Sequence, residues 1–171
     1  QSTTMGENLV LQALGLPQRG RVVTDALHFF GSFYTYAELG KAGMDVVTLR
    51  MTKEGRIDMQ EMAAAIDSNT KLVSISLVST INGFQHDLKK VCDLAHAKGA
   101  YVYADIVHAV GSVPTDLHAS GVDFAACSSY KWLMGDFGLG FLYIRKDLQE
   151  KVRRPWWGYH QLGTFATHVF P

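Results

Sequence analysis

Short apolar runs alternate with amphipathic segments along most of this 171-residue chain. The apolar runs predict β-strands at 21–24, 45–49, 71–78, 101–105, 124–128 and 140–144. The amphipathic segments predict helices at 6–14, 33–41, 59–66 and 87–98, with a short helix from residue 146. Strands and helices in this alternation build a mainly parallel sheet that helices cover. We therefore expect an α/β fold of three layers, with helices on both faces of the sheet.

The composition narrows the class of protein. Sixteen basic and sixteen acidic residues cancel, so the charge gives no argument for nucleic acid or an anionic membrane as partner. A hydrophobic content of 47% is typical of a globular protein, and no apolar run is long enough to span a membrane. The two cysteines form neither a disulfide framework nor a metal-ligand cluster. We expect a cytoplasmic enzyme.

One lysine stands in unusual surroundings. Lys131 lies between two aromatic residues, directly after the apolar run 122–127 and before glycines at 135, 138 and 140. An isolated lysine is most often a solvated surface charge. Here the glycines let a ligand approach the backbone, and partial burial lowers the pKa of an ammonium group. Both features suit an amine that forms a covalent imine.

A carboxylate ends the apolar run 101–105. In a parallel sheet the carboxyl ends of the strands share one edge, where ligands bind. Asp105 and Lys131 at the ends of neighbouring strands are what a pyridoxal phosphate site requires, because one holds the pyridinium nitrogen protonated and the other carries the aldehyde. The alternative role for Asp105 is that of a helix N-cap or loop carboxylate.

Hydroxyl groups at two places predict a phosphate site. Ser2, Thr3 and Thr4 precede the first helix, where free backbone N–H groups attract anions. Ser128 ends the strand before Lys131 and supplies a second segment. The competing interpretation of the threonines is an ordinary helix cap.

Three ring side chains are further candidates. Phe29 and His28 follow the first strand, where an aromatic ring can stack on a planar cofactor or pack in the core. His108 lies three residues after Asp105 and either contacts the cofactor or caps a turn. His96, on the helix 87–98, is expected at the surface. The histidines beyond the site, His160 and His168 among them, show no metal-ligand spacing.

The segments 104–111, 121–124 and 128–133, with the glycine turn that follows, resemble the class V aminotransferase family of pyridoxal phosphate enzymes. This family includes cysteine desulfurases, selenocysteine lyases, isopenicillin N epimerases and kynureninases, and the resemblance extends over nearly the whole chain. It implies the type I pyridoxal phosphate fold. Residues 1–171 would be the cofactor-binding large domain, incomplete, because the chain has no initial methionine and stops at Phe170 and Pro171. The small C-terminal domain would be absent from this chain.

The resemblance also implies roles for the cofactor-binding side chains. Lys131 would be the Schiff-base lysine and Asp105 the partner of the pyridinium nitrogen. Phe29 would stack on the ring, with His28 as the alternate one residue earlier. His108 stands where relatives usually carry a glutamine that contacts the phenolic oxygen of the cofactor.

The remaining positions concern the phosphate and the substrate. Ser128 and Tyr130 match phosphate-contacting positions, and Thr4 with Thr3 matches the other half of the phosphate site. Thr80 lies near the cofactor where desulfurases tend to carry an asparagine, a departure that argues against a desulfurase. The arginine that binds the substrate carboxylate, and the cysteine nucleophile of desulfurases, would come from the small domain.

These observations predict a pyridoxal phosphate enzyme, aminotransferase class V-like, that acts on an amino acid or related amine as a homodimer. Transamination, epimerisation and β-elimination of the cysteine desulfurase or selenocysteine lyase type stay open. A truncated cofactor-binding module without turnover is the alternative from another class. A nucleotide-binding domain is disfavoured, because no Gly-x-Gly-x-x-Gly follows the first strand.

Overall fold

A computed structural model describes residues 1–16 and 19–157. The chain end at Phe170 and Pro171, and the histidines His160 and His168, lie outside the described residues. The helices are α1 (Thr3–Leu14), α2 (Ser32–Lys41), α3 (Met59–Ala65), α4 (Leu88–His96) and α5 (Leu117–Ser120). The strands are β1 (Arg21–Asp25), β2 (Asp45–Leu49), β3 (Thr70–Ser76), β4 (Tyr101–Asp105), β5 (Phe124–Ser128) and β6 (Gly140–Ile144). A short 3-10 turn (Lys146–Leu148) follows β6.

The six strands form one sheet in the order β2-β1-β3-β4-β5-β6. The first five strands in this order are parallel, and β6 pairs with β5 in the antiparallel direction. The register sets Ser76 of β3 beside Asp105 of β4, and Asp105 beside Ala126 of β5. The predicted mainly parallel α/β sheet is confirmed, and its strand ends meet at one edge.

Helices cover both faces of the sheet because the buried strands are apolar on both sides. Along β3, Leu72 packs with α1 and α2 residues such as Val10 and Tyr36, whereas its neighbour Val73 packs with α3 and α4 residues such as Met62. Successive side chains of a strand point to opposite faces, so consecutive apolar residues fill both cores. The result is the expected arrangement of three layers.

Several predicted boundaries differ from the structure by one or two residues, and the start of α1 differs by three. Helix α1 begins at Thr3 and not at residue 6, because the Ser2 hydroxyl accepts a hydrogen bond from the Met5 N–H and caps the helix. Strand β3 ends at Ser76 and not at residue 78, because the chain turns away from the sheet there. The Leu77 N–H makes the last hydrogen bond to β4, with the carbonyl of Asp105. No element was predicted where α5 lies.

A buried carboxylate joins four elements at the opposite end of the sheet. Asp123 accepts a hydrogen bond from the Val102 N–H at 2.7 Å, and its Oδ2 lies 2.8 Å from His96 Nε2. Arg145 Nη1 lies 2.7 Å from Asp123 Oδ1, an ion-pair distance without hydrogen-bond alignment. His96 is exposed, as predicted, and its ring connects α4 to the buried Asp123. Among the described residues, no helix has the length and apolar character needed to cross a bilayer.

Candidate active site

The carboxyl ends of β1, β4 and β5 and the N-terminus of α1 surround one cavity. Seven of the predicted site residues line it: Thr3, Thr4, Phe29, Asp105, Ser128, Tyr130 and Lys131. These residues come from four separate parts of the sequence, and the parallel order of the sheet brings them together. Ser2 and Val107 also line the cavity, and Val107 was not predicted as a site residue.

Asp105 is the buried acid of the cavity. Its Oδ1 accepts a hydrogen bond from the Val107 N–H at 2.9 Å, an interaction typical of an aspartate at the start of a turn. Burial raises the pKa of Asp105 to about 6, although the charge of His28 opposes this effect. The carboxylate is therefore short of compensating charge in the protein alone, and a cationic N–H group in the cavity would supply it.

Lys131, which lines the cavity, forms a close pair with His108, which lies outside the lining. Lys131 Nζ lies 2.8 Å from His108 Nε2. Burial, and then the charge of Lys131, lower the pKa of His108, so the imidazole is neutral and its Nε2 can accept a hydrogen bond from the lysine. Sequence reasoning expected His108 to contact a cofactor, and it did not foresee this contact with Lys131.

Glycines allow the Lys131 segment to lie against its neighbours. A Cβ on Gly111, at φ +89°, would stand 2.7 Å from the carbonyl oxygen of Trp132. A Cβ on Gly135 would stand 2.6 Å from the Ser129 hydroxyl, which itself donates to the carbonyl of Leu139 at 3.0 Å. The segment is thus fixed by close approach to its own neighbours, whereas the sequence predicted that the glycines would let a ligand approach the backbone.

The N-terminus of α1 is joined to the end of β5. The Thr3 N–H donates to the Ser128 hydroxyl at 2.8 Å, and the Ser128 N–H donates to the Thr3 hydroxyl at 3.1 Å. Thr4 follows and is exposed at the cavity. The dipole at a helix N-terminus favours negative charge, although the Thr3 and Met5 N–H groups of α1 are already bonded to the hydroxyls of Ser128 and Ser2.

Of the ring side chains and Thr80, some lie at the cavity, one behind it and one outside it. Phe29 is the aromatic ring at the cavity, whereas the His28 ring is fully buried behind it and hydrogen-bonded to serines, so His28 does not lie at a stacking position. Tyr130 lines the cavity and stacks on Phe137 with ring centroids 4.5 Å apart. Thr80 lies exposed in a turn after β3, outside the lining of the cavity.

The donor set fits a planar molecule that carries a phosphate, an aldehyde and a basic ring nitrogen. The α1 N-terminus suits the phosphate, Lys131 the aldehyde, and the buried Asp105 the ring nitrogen. The carboxylate carries the strongest part of this match, since burial raises its pKa to about 6 and a cationic partner in the cavity would stabilise its ionised form. Within the described residues no group of three or more His, Cys, Asp or Glu side chains could hold a metal ion.

Known proteins share this sequence and fold. A cysteine desulfurase from Haloferax volcanii is 32% identical over 156 residues, which are 89% of this chain and 36% of that protein. A kynureninase from Pseudomonas fluorescens is 32% identical over 155 residues, which are 88% of this chain and 36% of that protein. The apo structure of a cysteine desulfurase from Thermococcus onnurineus matches with a TM-score of 0.82 at 27% identity, over 92% of this chain and 40% of that one.

The chain spans little more than a third of the length of these curated relatives. A family model described as "Aminotransferase class-V" matches residues 1–165. The match includes every residue of the cavity, from Ser2 to Lys131. The chain therefore belongs to the class V aminotransferase family, whose members depend on pyridoxal 5'-phosphate.

Proposed function

We propose that the protein is a pyridoxal phosphate-dependent enzyme that acts on an amino acid or related amine, with Lys131 as the residue that holds the cofactor covalently. The observation that carries this proposal is the cavity where Lys131, Asp105 and the α1 N-terminus meet. A nucleophilic amine, a buried acid and an anion site in one cavity match the three reactive groups of that cofactor.

Each side chain has a stated task in this proposal. The bound cofactor supplies an electron sink for the bond that breaks at the substrate α-carbon. Asp105 accepts a hydrogen bond from the ring nitrogen and holds the proton there. Lys131 Nζ, once the substrate amine has displaced it, removes a proton at the α-carbon and returns one later. His108 Nε2 orients the Lys131 amine from 2.8 Å.

The phosphate and the ring are held by the other residues of the cavity. The α1 N-terminus, with Thr3, Thr4 and Ser128, receives the phosphate, and Tyr130 lies beside it. Phe29 stacks on the face of the ring and excludes water from it. Thr80, in its exposed turn, would contact cofactor or substrate only if a further part of the protein completed the site there.

The reaction type stays open among transamination, epimerisation and β-elimination, because relatives of equal identity carry different names. Both cysteines of this chain are buried, and burial raises the pKa of Cys127 to about 11 and that of Cys92 to about 12. Neither is a reactive thiolate. A desulfurase activity would therefore need a cysteine from another part of the protein. Buried free thiols also suit the proposed cytoplasmic location.

We further propose that the protein is a homodimer with the cavity close to the interface. Five large apolar side chains are exposed between residues 132 and 139: Trp132, Leu133, Met134, Phe137 and Leu139. We call this group the apolar ridge. Exposed apolar clusters of this kind mark interaction surfaces, and a second copy placed here would cover the cavity from solvent.

The first test removes the amine of Lys131. Full-length protein with Lys131→Ala, incubated with pyridoxal phosphate and reduced with borohydride, should show no covalent cofactor by peptide mass spectrometry. The wild-type protein and Lys53→Ala, which removes an exposed lysine in a turn, should both carry it. Cofactor fixed to the Lys131→Ala variant at another lysine would overturn the assignment.

The second test addresses turnover. Wild-type full-length protein with bound cofactor should consume at least one member of a panel of amino acids, with keto acid, racemised amino acid or eliminated product identifying the reaction. Cofactor bound at Lys131 without turnover of any member would favour the module without activity. This result would leave the covalent assignment intact.

A further inference from the structure

A cluster of buried polar side chains lies behind the cavity, on the face of the sheet that α1 and α2 cover. Its six members come from α1, the loop after β1, α2 and β3, and all are buried: Glu7, His28, Ser32, Tyr36, Ser74 and Ser76. We call this group the Glu7 cluster. The proposed chemistry uses none of these residues, and so many buried polar groups need a reason.

Glu7 and His28 form a charged pair inside this cluster. Glu7 Oε2 accepts a hydrogen bond from the Ser32 hydroxyl at 2.6 Å, and Glu7 Oε1 accepts one from the Tyr36 hydroxyl and lies 3.4 Å from His28 Nε2. Burial alone would raise the pKa of Glu7, but the His28 hydrogen bond and charge lower it. Burial alone would lower the pKa of His28, but Glu7 raises it. Both directions favour a carboxylate and an imidazolium.

The hydroxyl of Ser76 connects this pair to the cavity. His28 Nδ1 lies 2.8 Å from Ser76 Oγ, and the same oxygen accepts the backbone N–H of Phe29 at 3.1 Å. Ser76 is also in register with Asp105 on the neighbouring strand. One side chain therefore contacts His28, fixes the backbone of Phe29 and stands beside Asp105.

The charged groups around His28 are three carboxylates: Glu7 from α1, Asp25 from β1 and Asp105 from β4. The uncharged Tyr36 ring of α2 also faces it, with ring centroids 6.1 Å apart. On the other side of Asp105 the nearest cation is Lys131. Since Lys131 is the residue proposed to bond covalently to the cofactor and so to lose its simple ammonium charge, the charge of His28 is the one that stays available to Asp105.

We propose that His28, held as a cation by Glu7, is a positioning residue that fixes Phe29 through Ser76 and favours the carboxylate form of Asp105. The proposal rests on the proposed function, because Phe29 and Asp105 act on the cofactor only if it binds in this cavity. It explains why an aromatic residue next to Phe29 is itself buried and hydrogen-bonded. It also gives Glu7 a use at a distance from the reacting atoms.

The test of the charge uses cofactor-free, full-length protein. His28→Gln keeps hydrogen-bonding groups at this place and removes the positive charge, so the pKa of Asp105, measured by ¹³C NMR of its carboxyl carbon, should rise by roughly one unit. His96→Gln, which alters a histidine beside a different buried aspartate, should leave it unchanged. An unchanged Asp105 pKa in His28→Gln would overturn the proposal, whether or not the protein binds the cofactor.

Two further variants separate charge from position. Glu7→Gln should leave His28 neutral at pH 7 in its ¹⁵N spectrum, whereas wild-type His28 should be doubly protonated. A neutral wild-type His28 would contradict the proposal even if His28→Gln failed to fold. Ser76→Ala keeps the charge of His28 and removes the hydrogen bond to the backbone of Phe29, so cofactor affinity should fall. The pKa of Asp105 should change by less than half of its change in His28→Gln. Unchanged affinity in Ser76→Ala would remove Phe29 positioning from the proposal.

Discussion

At Asp105 the burial of the side chain conflicts with the task that we propose for it. Its position at the end of β4 buries the carboxyl group and raises its pKa to about 6, so the ionised form weakens the protein on its own. The proposed task, holding a proton on a cofactor nitrogen, needs that ionised form. With the proposed task, Asp105 would favour the complex over the empty protein.

Asp105→Asn should therefore weaken cofactor binding and stabilise the cofactor-free protein. An asparagine oxygen can still accept the Val107 N–H, while the loss of the charge removes a hydrogen bond worth about 1.5 to 3 kcal/mol to the ring nitrogen. Cofactor affinity, measured by absorbance titration, should fall roughly 10- to 150-fold. Asp147→Asn, an exposed carboxylate in surface ion pairs, should change it little.

The cofactor-free Asp105→Asn protein should be more stable than wild type above pH 6. The folded-state pKa lies about two units above the ordinary value of 3.8, so ionisation costs the folded wild type about 3 kcal/mol at pH 8. That cost decreases as pH falls through the window from about 6 to 4. Urea unfolding at pH 8 and pH 5 checks this, and an advantage of the variant that grew at the lower pH would contradict it.

At the residue scale, local sequence pattern was enough to predict that Lys131 and Asp105 lie at the same edge of the sheet, since each follows an apolar run and stands beside turn residues. The Glu7 cluster had no such signal. Glu7 and Ser74 are 67 positions apart, and no local periodicity connects them. Tertiary packing alone places the serine, histidine and carboxylate in one buried group, which is why His28 was predicted as an alternate stacking residue and instead lies behind the cavity.

Helix α1 lies very close to β5, and Gly6 is the reason. A Cβ on Gly6 would stand 2.6 Å from the Cβ of Ala126 in the middle of that strand. Neither backbone can give way easily, because both elements are packed in the core. The same contact holds the N-terminus of α1 at the cavity.

Gly6→Ala should therefore destabilise the protein, although alanine is the better helix former. The clash costs about 1 to 3 kcal/mol, which exceeds the gain of about 0.5 to 1 kcal/mol from helix propensity. Gly40→Ala in α2 is the matched control, since its Cβ would have only ordinary contact, 3.9 Å from Val46. Thermal unfolding should place Gly40→Ala above wild type and Gly6→Ala below it, and the reverse order would refute the packing argument.

At the element scale, the six strands and four of the five helices were predicted near their observed positions. Helix α5 was missed because four residues are too short for a helical period to show. The antiparallel direction of β6 was also not foreseen. It depends on the short connection through the glycine turn, which returns the chain beside β5 instead of crossing the sheet.

The apolar ridge bears on how two whole molecules associate. Met134 is 90% exposed and Phe137 is 85% exposed, values that a packed monomer rarely shows for two neighbouring large side chains. If a second copy covers them, they are interface residues of the kind that contribute 2 kcal/mol or more each.

The double variant Met134→Glu/Phe137→Glu should then weaken dimerisation at least roughly 30-fold, as measured by sedimentation of the full-length protein. The matched control is Lys98→Glu, an added acid after α4. A wild-type protein that sediments as a monomer, or a double variant that sediments as the wild-type dimer does, would remove the ridge from the interface.

The contact between Thr3 and Ser128 has a consequence for biosynthesis. The two residues are 125 positions apart, and at about 5–20 residues per second a ribosome needs roughly 6 to 25 s to add that length. During this interval the start of α1 has no partner at the edge of the sheet, and its apolar side is open to chaperones or to other nascent chains. The proposed phosphate site can therefore form only after Ser128 has been added, and Lys131, the proposed cofactor lysine, follows three residues later.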